Sequence, residues 1–342
     1  MSALSAVARA TVKNPPGRVS GSPICATVFG ATGFVGRYVC AQLGHTGCTV
    51  VTPYRGDDMD ARHLKVNGDL GSVAQLPFSV RDRESIRAAV KGSNVVINLI
   101  GKHYETKHAL PWWINYTYDD VHVQAAKDIA EVCAEENVPR LIHFSSILAK
   151  PNSPSIWAAS KYRGEVAVRK AFPNANIVRS GSIYGPEDRF LNWYARLGSM
   201  IPLIENGSAR TQPVNVTDVA QALYALCVDT TINGETFELV GDEEYTNKEI
   251  VDYVLDITQH DAQLLNLPLP VAELIGSAIQ NLPNPAFTKD WAVRLSLDEV
   301  KTSNLPGLRD LQVEPTKMEK EAFSFLFKYN KGGHFQKVDG YH

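Results

Sequence analysis

The chain has 342 residues, 44% hydrophobic and 21% charged, enough for one large α/β domain or for a core with a smaller lobe. A net charge of −3 argues against nucleic acid as the main partner, and no run approaches the roughly 20 apolar residues that span a bilayer. Five cysteines (Cys25, Cys40, Cys48, Cys133 and Cys227) are odd in number and form no CxxC pair, as expected of free thiols in the cytosol or a matrix-like compartment.

Residues 1–23 carry Arg9, Lys13 and Arg18 among Ser, Ala and Thr, and no acid precedes Asp57. This basic N-terminal extension suits a mitochondrial presequence, or what remains of one; a mildly basic tail is the other reading. Ile24–Phe29 is an apolar run that ends in a glycine turn. A helical pattern through Arg37, Val39, Cys40 and Leu43 follows, then a second apolar run, Cys48–Thr52. That is a βαβ unit. Further strands are expected at Gln75–Val80, Asn94–Ile100, Arg140–Phe144 and Asn176–Arg179, with helices at Arg83–Val90, Val121–Glu136 and Ala158–Ala171. Continuous apolar strands alternating with helices imply an α/β fold with a doubly wound, parallel, Rossmann-type sheet buried on both faces.

Regularity weakens after residue 183. A helix is expected from Thr217, read as its N-cap, then a strand at Thr236–Val240 and a helix at Asn247–Thr258. The division expected is a dinucleotide-binding core over 24–182, a smaller C-terminal lobe over 183–330 interleaved with it, and a tail over 331–342. The run Leu267–Leu282 is apolar with few charges, and suits packing inside the lobe, a neighbouring subunit or a membrane surface.

Gly30-Ala31-Thr32-Gly33-Phe34-Val35-Gly36 closes the first strand and opens a helix. The first glycine permits the tight turn, the second lets backbone approach a pyrophosphate, and the third lets helix and strand pack closely. Phosphates would sit on the N–H groups at the positive end of the helix. The second strand ends Thr52-Pro53-Tyr54-Arg55. An acid there would bind the ribose 2′-hydroxyl of NAD and repel a 2′-phosphate, whereas Arg55 would pair with one, so NADPH is the expected cofactor. Leu99, Ile100 and Gly101 end the fourth strand, where glycine lets the chain pass close to the cofactor ribose, and Ser79-Val80 occupies the place where adenine would rest. No metal-ligand spacing is present.

The run Trp157-Ala-Ala-Ser160-Lys161-Tyr162 resembles the active-site helix of the short-chain dehydrogenase/reductase superfamily, whose signature is YxxxK. The resemblance implies that a tyrosine acts as acid/base, that the lysine lowers its pKa and holds the nicotinamide ribose, and that an upstream serine polarises the substrate carbonyl. Lys161 fits the lysine, and Ser145 or Ser146 fits the serine. Trp157 stands where the tyrosine should be, and an indole N–H has no accessible proton exchange near neutral pH. Loss of a general acid removes on the order of 10²–10⁴ in rate. Tyr162 points about 100° away from Lys161 on a helix, and Tyr184, expected in a loop after the sixth strand, is a weak substitute.

Narrower runs recur together: Pro53-Tyr54-Arg55, Gly68-Asp69-Leu70-Gly71, Asn94 to Gly101, Glu105-Thr106-Lys107, Gly185 to Asn192 and Gln212 to Val219. With the glycine turn, they make the chain similar to the dehydrogenase-like accessory subunits of mitochondrial respiratory complex I, the alpha-subcomplex subunit nine family, from about residue 24 to 330. That resemblance implies tightly held NADPH, a place at the matrix side of the inner membrane beside other complex I subunits, and a role in assembly and stability without turnover. By position, Gly30, Thr32, Gly33, Phe34, Val35, Gly36, Arg55, Leu99, Ile100, Gly101 and Lys161 carry over as cofactor contacts, with Val80 beside the adenine. Ser145, Trp157 and Lys161 are then vestiges of a catalytic set. Departures at Ser79 and over Lys102–Asp120, including Trp112-Trp113, leave the adenine contacts open. Two alternatives stand beside this reading: an active NADP-dependent reductase or epimerase with an unorthodox acid, and a free NADPH redox sensor.

Overall fold

A computed structural model of the chain describes Ser22 and residues 24–107, 114–282 and 285–330. Most of the basic extension, the Trp112-Trp113 pair and the tail over 331–342 lie outside the described residues.

Seven parallel strands form the main sheet: β1 (Cys25–Phe29), β2 (Thr49–Tyr54), β3 (Val73–Pro77), β4 (Val95–Asn98), β5 (Arg140–Ser146), β6 (Asn176–Ser180) and β7 (Thr236–Leu239), in the order 7-6-5-4-1-2-3. The doubly wound parallel sheet expected from the apolar runs is present. Ala26 sits in register with Val50 on one side and Val95 on the other. Strand order reverses between β1 and β4, and the crevice beyond their carboxyl ends is where such sheets bind ligands.

Helix α1 (Phe34–His45) buries Gly36, Val39, Cys40, Leu43 and Gly44, one stripe at helical spacing. Helix α2 (Arg83–Val90) is capped by Asp82, whose carboxylate accepts from the Glu84 N–H. Helix α3 (Ala125–Glu135) places Ile129, Ala130, Val132 and Cys133 in a core with Phe29, Ile86, Val96 and Leu141. Helix α4 (Ile156–Ala171) starts at Ser155, whose hydroxyl accepts from the Ala158 N–H. Its Glu165 takes a two-point pair from Arg179 on β6, with an Nη2–Oε2 distance of 2.6 Å.

Three expectations about elements need correction. The third strand ends at Pro77, and Ser79-Val80 lie in the turn beyond it. Proline supplies no ladder N–H, which suits the place of β3 at the sheet edge. The helix expected from Val121 opens as a π-turn, Asp120–Gln124, before α3 begins. The helix expected from Thr217 begins at Val216, so Thr217 is inside it and is not the cap.

The chain divides into two compact units, neither continuous in sequence. The first runs to Ser180 and takes in Thr217–Leu239 and Ser303–Glu314. These return segments complete the sheet edge: the Glu238 N–H donates to Pro306, and the Ser303 hydroxyl to the Glu238 carboxylate at 2.6 Å. The second unit holds α5 (Leu191–Leu197), α7 (Asn247–Thr258), α8 (Leu269–Ile279), α9 (Lys289–Leu295) and α10 (Met318–Leu326); α6 (Val216–Val228) belongs almost entirely to the first. In the second unit, Asp188 gathers the N–H groups of Gly185, Phe190 and Asn192 on its carboxylate, and so closes the Gly185–Asn192 run into the turn that starts α5. The expected apolar run becomes a strand end and α8. It buries Ala272 and Gly276, and it leaves Val271, Leu274 and Ile275 exposed, Leu274 at 72%. Among the described residues no helix is long and apolar enough to cross a membrane.

Candidate nucleotide site

Gly30 has φ +82°, a left-handed conformation that favours glycine. Its carbonyl accepts from the Gly33 N–H at 3.0 Å, which folds the turn. A Cβ on Gly36 would lie 2.3 Å from the Gly30 oxygen and 2.7 Å from the Ala31 Cα, so α1 packs directly on the turn and tolerates no side chain there. Thr32 is half-buried and its carbonyl accepts from Arg37 Nε at 3.4 Å. Phe34 and Val35 form the first helical turn, with Phe34 edge-on to Tyr38. That first turn carries no acid, and Gly33 gives it no side-chain cap. A glycine cradle at a positive helix end fits a pyrophosphate.

The segment after β4 lies across this turn. The Leu99 N–H donates to Phe29, the last residue of β1, at 3.0 Å. A Cβ on Gly30 would come within 3.1 Å of the Leu99 carbonyl carbon and 3.3 Å of the Ile100 nitrogen. Asn98 shapes the bend: its Oδ1 accepts from the Ile100 N–H at 3.1 Å. Gly101 then passes beside α4, where a Cβ would lie 3.2 Å from Lys161 Nζ.

Lys161 is buried and donates to the Phe144 carbonyl at 3.3 Å. Burial pushes its ammonium down to about 8, with Glu165 acting the other way. Trp157 lies one turn earlier, its ring 5.9 Å from Lys161 Nζ, and its indole N–H donates to the Lys102 carbonyl at 2.6 Å. The Lys102 N–H in turn donates to His122 Nε2 at 3.0 Å. That leaves Nδ1 as the protonated nitrogen of a neutral ring, donating to Ser160 Oγ at 2.8 Å, while Ser160 donates to the Trp157 carbonyl. Gly164 permits this approach, because a Cβ there would lie 2.2 Å from the His122 oxygen. The Ser145 hydroxyl is buried without a hydrogen-bond partner among the described residues, whereas Ser146 accepts from the Leu148 N–H. An orphaned buried hydroxyl fits a polar group brought by a ligand.

Arg55 is exposed just beyond β2, and no carboxylate among the described residues pairs with it. Its charge is felt at Lys102, which burial and then Arg55 push down to about 8 against the pull of Glu105. Lys102 Nζ and the Arg81 guanidinium both face the Tyr116 ring, at 5.3 and 4.0 Å. The glycine turn, Leu99 to Gly101 and Lys161 are thus brought together, and Arg55 acts on this region through its repulsion of the Lys102 ammonium. Val80 is on the turn after β3, tied to β1 through Phe78, whose ring lies 5.1 Å from that of Phe29. Sequence reasoning missed Asn98, Lys102, His122 and Ser160. His122 and Ser160 are 38 positions apart, and no local spacing announces the pair. Tyr184 is on a short strand, fully buried, with its hydroxyl donating to Thr316 at 2.8 Å, which removes it as a substitute acid.

Residues 26–239 match the NAD dependent epimerase/dehydratase family. The chain is 41% identical to the NADH dehydrogenase (ubiquinone) 1 alpha subcomplex subunit 9, mitochondrial, of Mus musculus over 317 residues, covering 92% of this chain and 82% of the mouse protein. The chain belongs to this subunit 9 family of mitochondrial complex I, within the epimerase/dehydratase superfamily. The NADH-ubiquinone oxidoreductase 40 kDa subunit of Neurospora crassa is 38% identical over 326 residues, 95% of this chain and 84% of the fungal one. Among solved structures, the dTDP-glucose 4,6-dehydratase DesIV of Streptomyces venezuelae has a TM-score of 0.65 at 16% identity, covering 90% of this chain and 98% of DesIV. The Citrobacter sp. triphenylmethane reductase complexed with NADP(H) has a TM-score of 0.64 at 16% identity, covering 89% and 99%. At that identity these structures speak for the fold alone.

In this subunit 9 family member, His143 on β5 backs the site. Its Nδ1 faces Asn98 Nδ2 at 3.4 Å and its Nε2 is buried without a partner among the described residues. Burial, and then the Lys161 ammonium, push the imidazole from 6.5 down to about 3. A depressed folded-state pKa means that the unfolded chain takes up the proton first as pH falls. Stability is therefore expected to be full above pH 6.5 and to fall toward pH 3 by roughly 1.4 kcal/mol per unit from this residue. Urea denaturation across that window checks it: His143→Phe should flatten the slope, and an unchanged slope would remove His143 as the cause.

Proposed function

We propose that the protein is a non-catalytic accessory subunit of mitochondrial complex I that holds NADPH as a structural cofactor. Its work is then assembly and stability near the junction of the peripheral and membrane arms, on the matrix side of the inner membrane, with other complex I subunits as partners. The observation that carries the reading is a division of labour in one site. The groups suited to holding a dinucleotide are in place: the glycine cradle, Arg55 and Lys161. The position where an acid would act is an indole whose N–H is already given to the Lys102 carbonyl. Such a residue offers no proton to a substrate at neutral pH. The two curated relatives carry names of complex I subunits, which supports the setting. Val271, Leu274 and Ile275 supply exposed apolar surface suited to attachment.

Arg55 is assigned to the 2′-phosphate because it is a cation at the end of β2 that no carboxylate among the described residues neutralises. Arg55→Ala is expected to weaken NADPH retention by about tenfold or more, the size of one lost charge-assisted contact. NADH affinity should hardly change. Equal losses for both nucleotides would remove the 2′-phosphate role. For the setting itself, the tagged chain expressed in mitochondria should migrate with a megadalton assembly on a native gel. A free chain that oxidises NADPH with a carbonyl substrate would contradict the proposal.

A further inference from the structure

Lys102 is held through both of its backbone polar groups, the N–H of the Gly101–Lys102 peptide and the carbonyl of the Lys102–His103 peptide, and the residue at position 157 does half of the holding. The Lys102 carbonyl accepts from the Trp157 indole at 2.6 Å, and the Lys102 N–H donates to His122 Nε2 at 3.0 Å. Both anchors are themselves fixed. His122 is stacked on Tyr118 and edge-on to Trp157, with ring centroids 5.7 and 6.1 Å away. Ser160, one turn along α4 from Trp157, receives the imidazole Nδ1 proton and donates to the Trp157 carbonyl. The chain immediately before Lys102 is the one that crosses the glycine turn, with Leu99 and Ile100 against Gly30 and Gly101 against Lys161. The Lys102 side chain, between the two clasped peptides, carries the ammonium on which the charge of Arg55 is felt.

We propose that Trp157 is a positioning residue: with His122 it clasps the Leu99–Lys102 strap over the dinucleotide, and so makes release of the bound cofactor slow. An indole suits this better than a phenol. It can only donate, so it serves a carbonyl in one orientation and cannot reverse the bond. Its two-ring body also fills the space between α4 and the π-turn that carries His122. Opening the strap needs both Lys102 bonds to break, and the Lys102 ammonium leaves the 2′-phosphate region with them. Slow release then comes from the clasp, while affinity comes from the cradle and Arg55.

The inference rests on NADPH being bound, and the experiment separates the two. The full-length wild type and Trp157→Phe are loaded with NADPH, and the loss of its fluorescence is followed after addition of excess NADP⁺. Thermal midpoints of both nucleotide-free proteins are measured alongside. Phenylalanine keeps an aromatic ring and removes the N–H. Release should be about tenfold faster in the variant, the worth of one buried hydrogen bond, with a fall of no more than about 5 °C in the nucleotide-free midpoint. Ser160→Ala, which retains the indole and frees the imidazole proton, should speed release by a smaller factor of about three and gives a reading even if Trp157→Phe does not fold. Wild type that retains NADPH, with both variants releasing it at the wild-type rate, overturns the clasp and leaves the proposed function standing. A lower midpoint with unchanged release in either variant shows a packing role only, and also overturns it. Wild type that binds no NADPH overturns both.

Discussion

Gly36→Ala is expected to cost the protein its nucleotide and part of its stability together. The new methyl would sit 2.3 Å from the Gly30 oxygen and 2.8 Å from the Ala31 oxygen, both backbone atoms that cannot rotate away. Overpacking of this kind costs about 3 kcal/mol, offset by about 1 kcal/mol from the better helix propensity of alanine. A net loss of about 2 kcal/mol is the expected result. Relief of the clash would lift α1 from the turn, and the N–H groups at its start would no longer face one point. Chemical denaturation and nucleotide content measured on the same preparation check both halves. Unchanged stability with unchanged nucleotide would mean that the packing of α1 on the turn does not shape the site.

Gly164→Ala attacks the same site from behind, at a point that touches no expected phosphate or ribose position. Its methyl would meet the His122 carbonyl oxygen at 2.2 Å, and that oxygen belongs to the π-turn. The turn must move away from α4, which separates His122 from Ser160 and loosens Lys102. The arithmetic is that of Gly36, a net loss of about 2 kcal/mol. Here the loss should also appear as loosened packing around Trp157, because the edge contact between His122 and Trp157 is broken. Tryptophan fluorescence and denaturation midpoints read the two effects. A stable variant with an unshifted emission spectrum would mean that the π-turn yields freely. Irregular π-turns often accompany functional sites, and Gly164 is what makes this one fit.

Much of this was legible in the chain. The continuous apolar runs of β1, β4 and β5 announced a sheet buried on both faces, because strands covered on two sides have no need of alternation. Gly30 to Gly36 could be read because the turn is local: its donors, acceptors and close contacts lie within a few residues. Lys161 and Trp157 could be read by their spacing. What was hidden came from contacts between distant segments. Lys102 and Trp157 are 55 positions apart, and His122 and Ser160 are 38. Neither pair leaves a periodic trace. The π-turn was unreadable for a related reason: Val121–Gln124 has ordinary helical composition, and tertiary packing against Gly164 sets its geometry. The edge strand β3 was misjudged because Pro77 ends it early, and the apolar residues beyond it belong to a turn. The return of Thr217–Leu239 and Ser303–Glu314 to the first unit likewise follows from sheet completion, which no local pattern records.

The most direct test of the central claim is the nucleotide content of the chain in its native assembly, before and after the assembly has turned over. Purified complex can be incubated with NADH and a quinone, washed, and extracted for chromatographic quantitation of NADPH, NADP⁺, NADH and NAD⁺. The account predicts about one NADPH for each copy of this chain, still reduced and unexchanged after turnover of the complex. An assembly with no 2′-phosphorylated nucleotide, or one in which this NADPH is consumed at the rate of NADH oxidation, would contradict it.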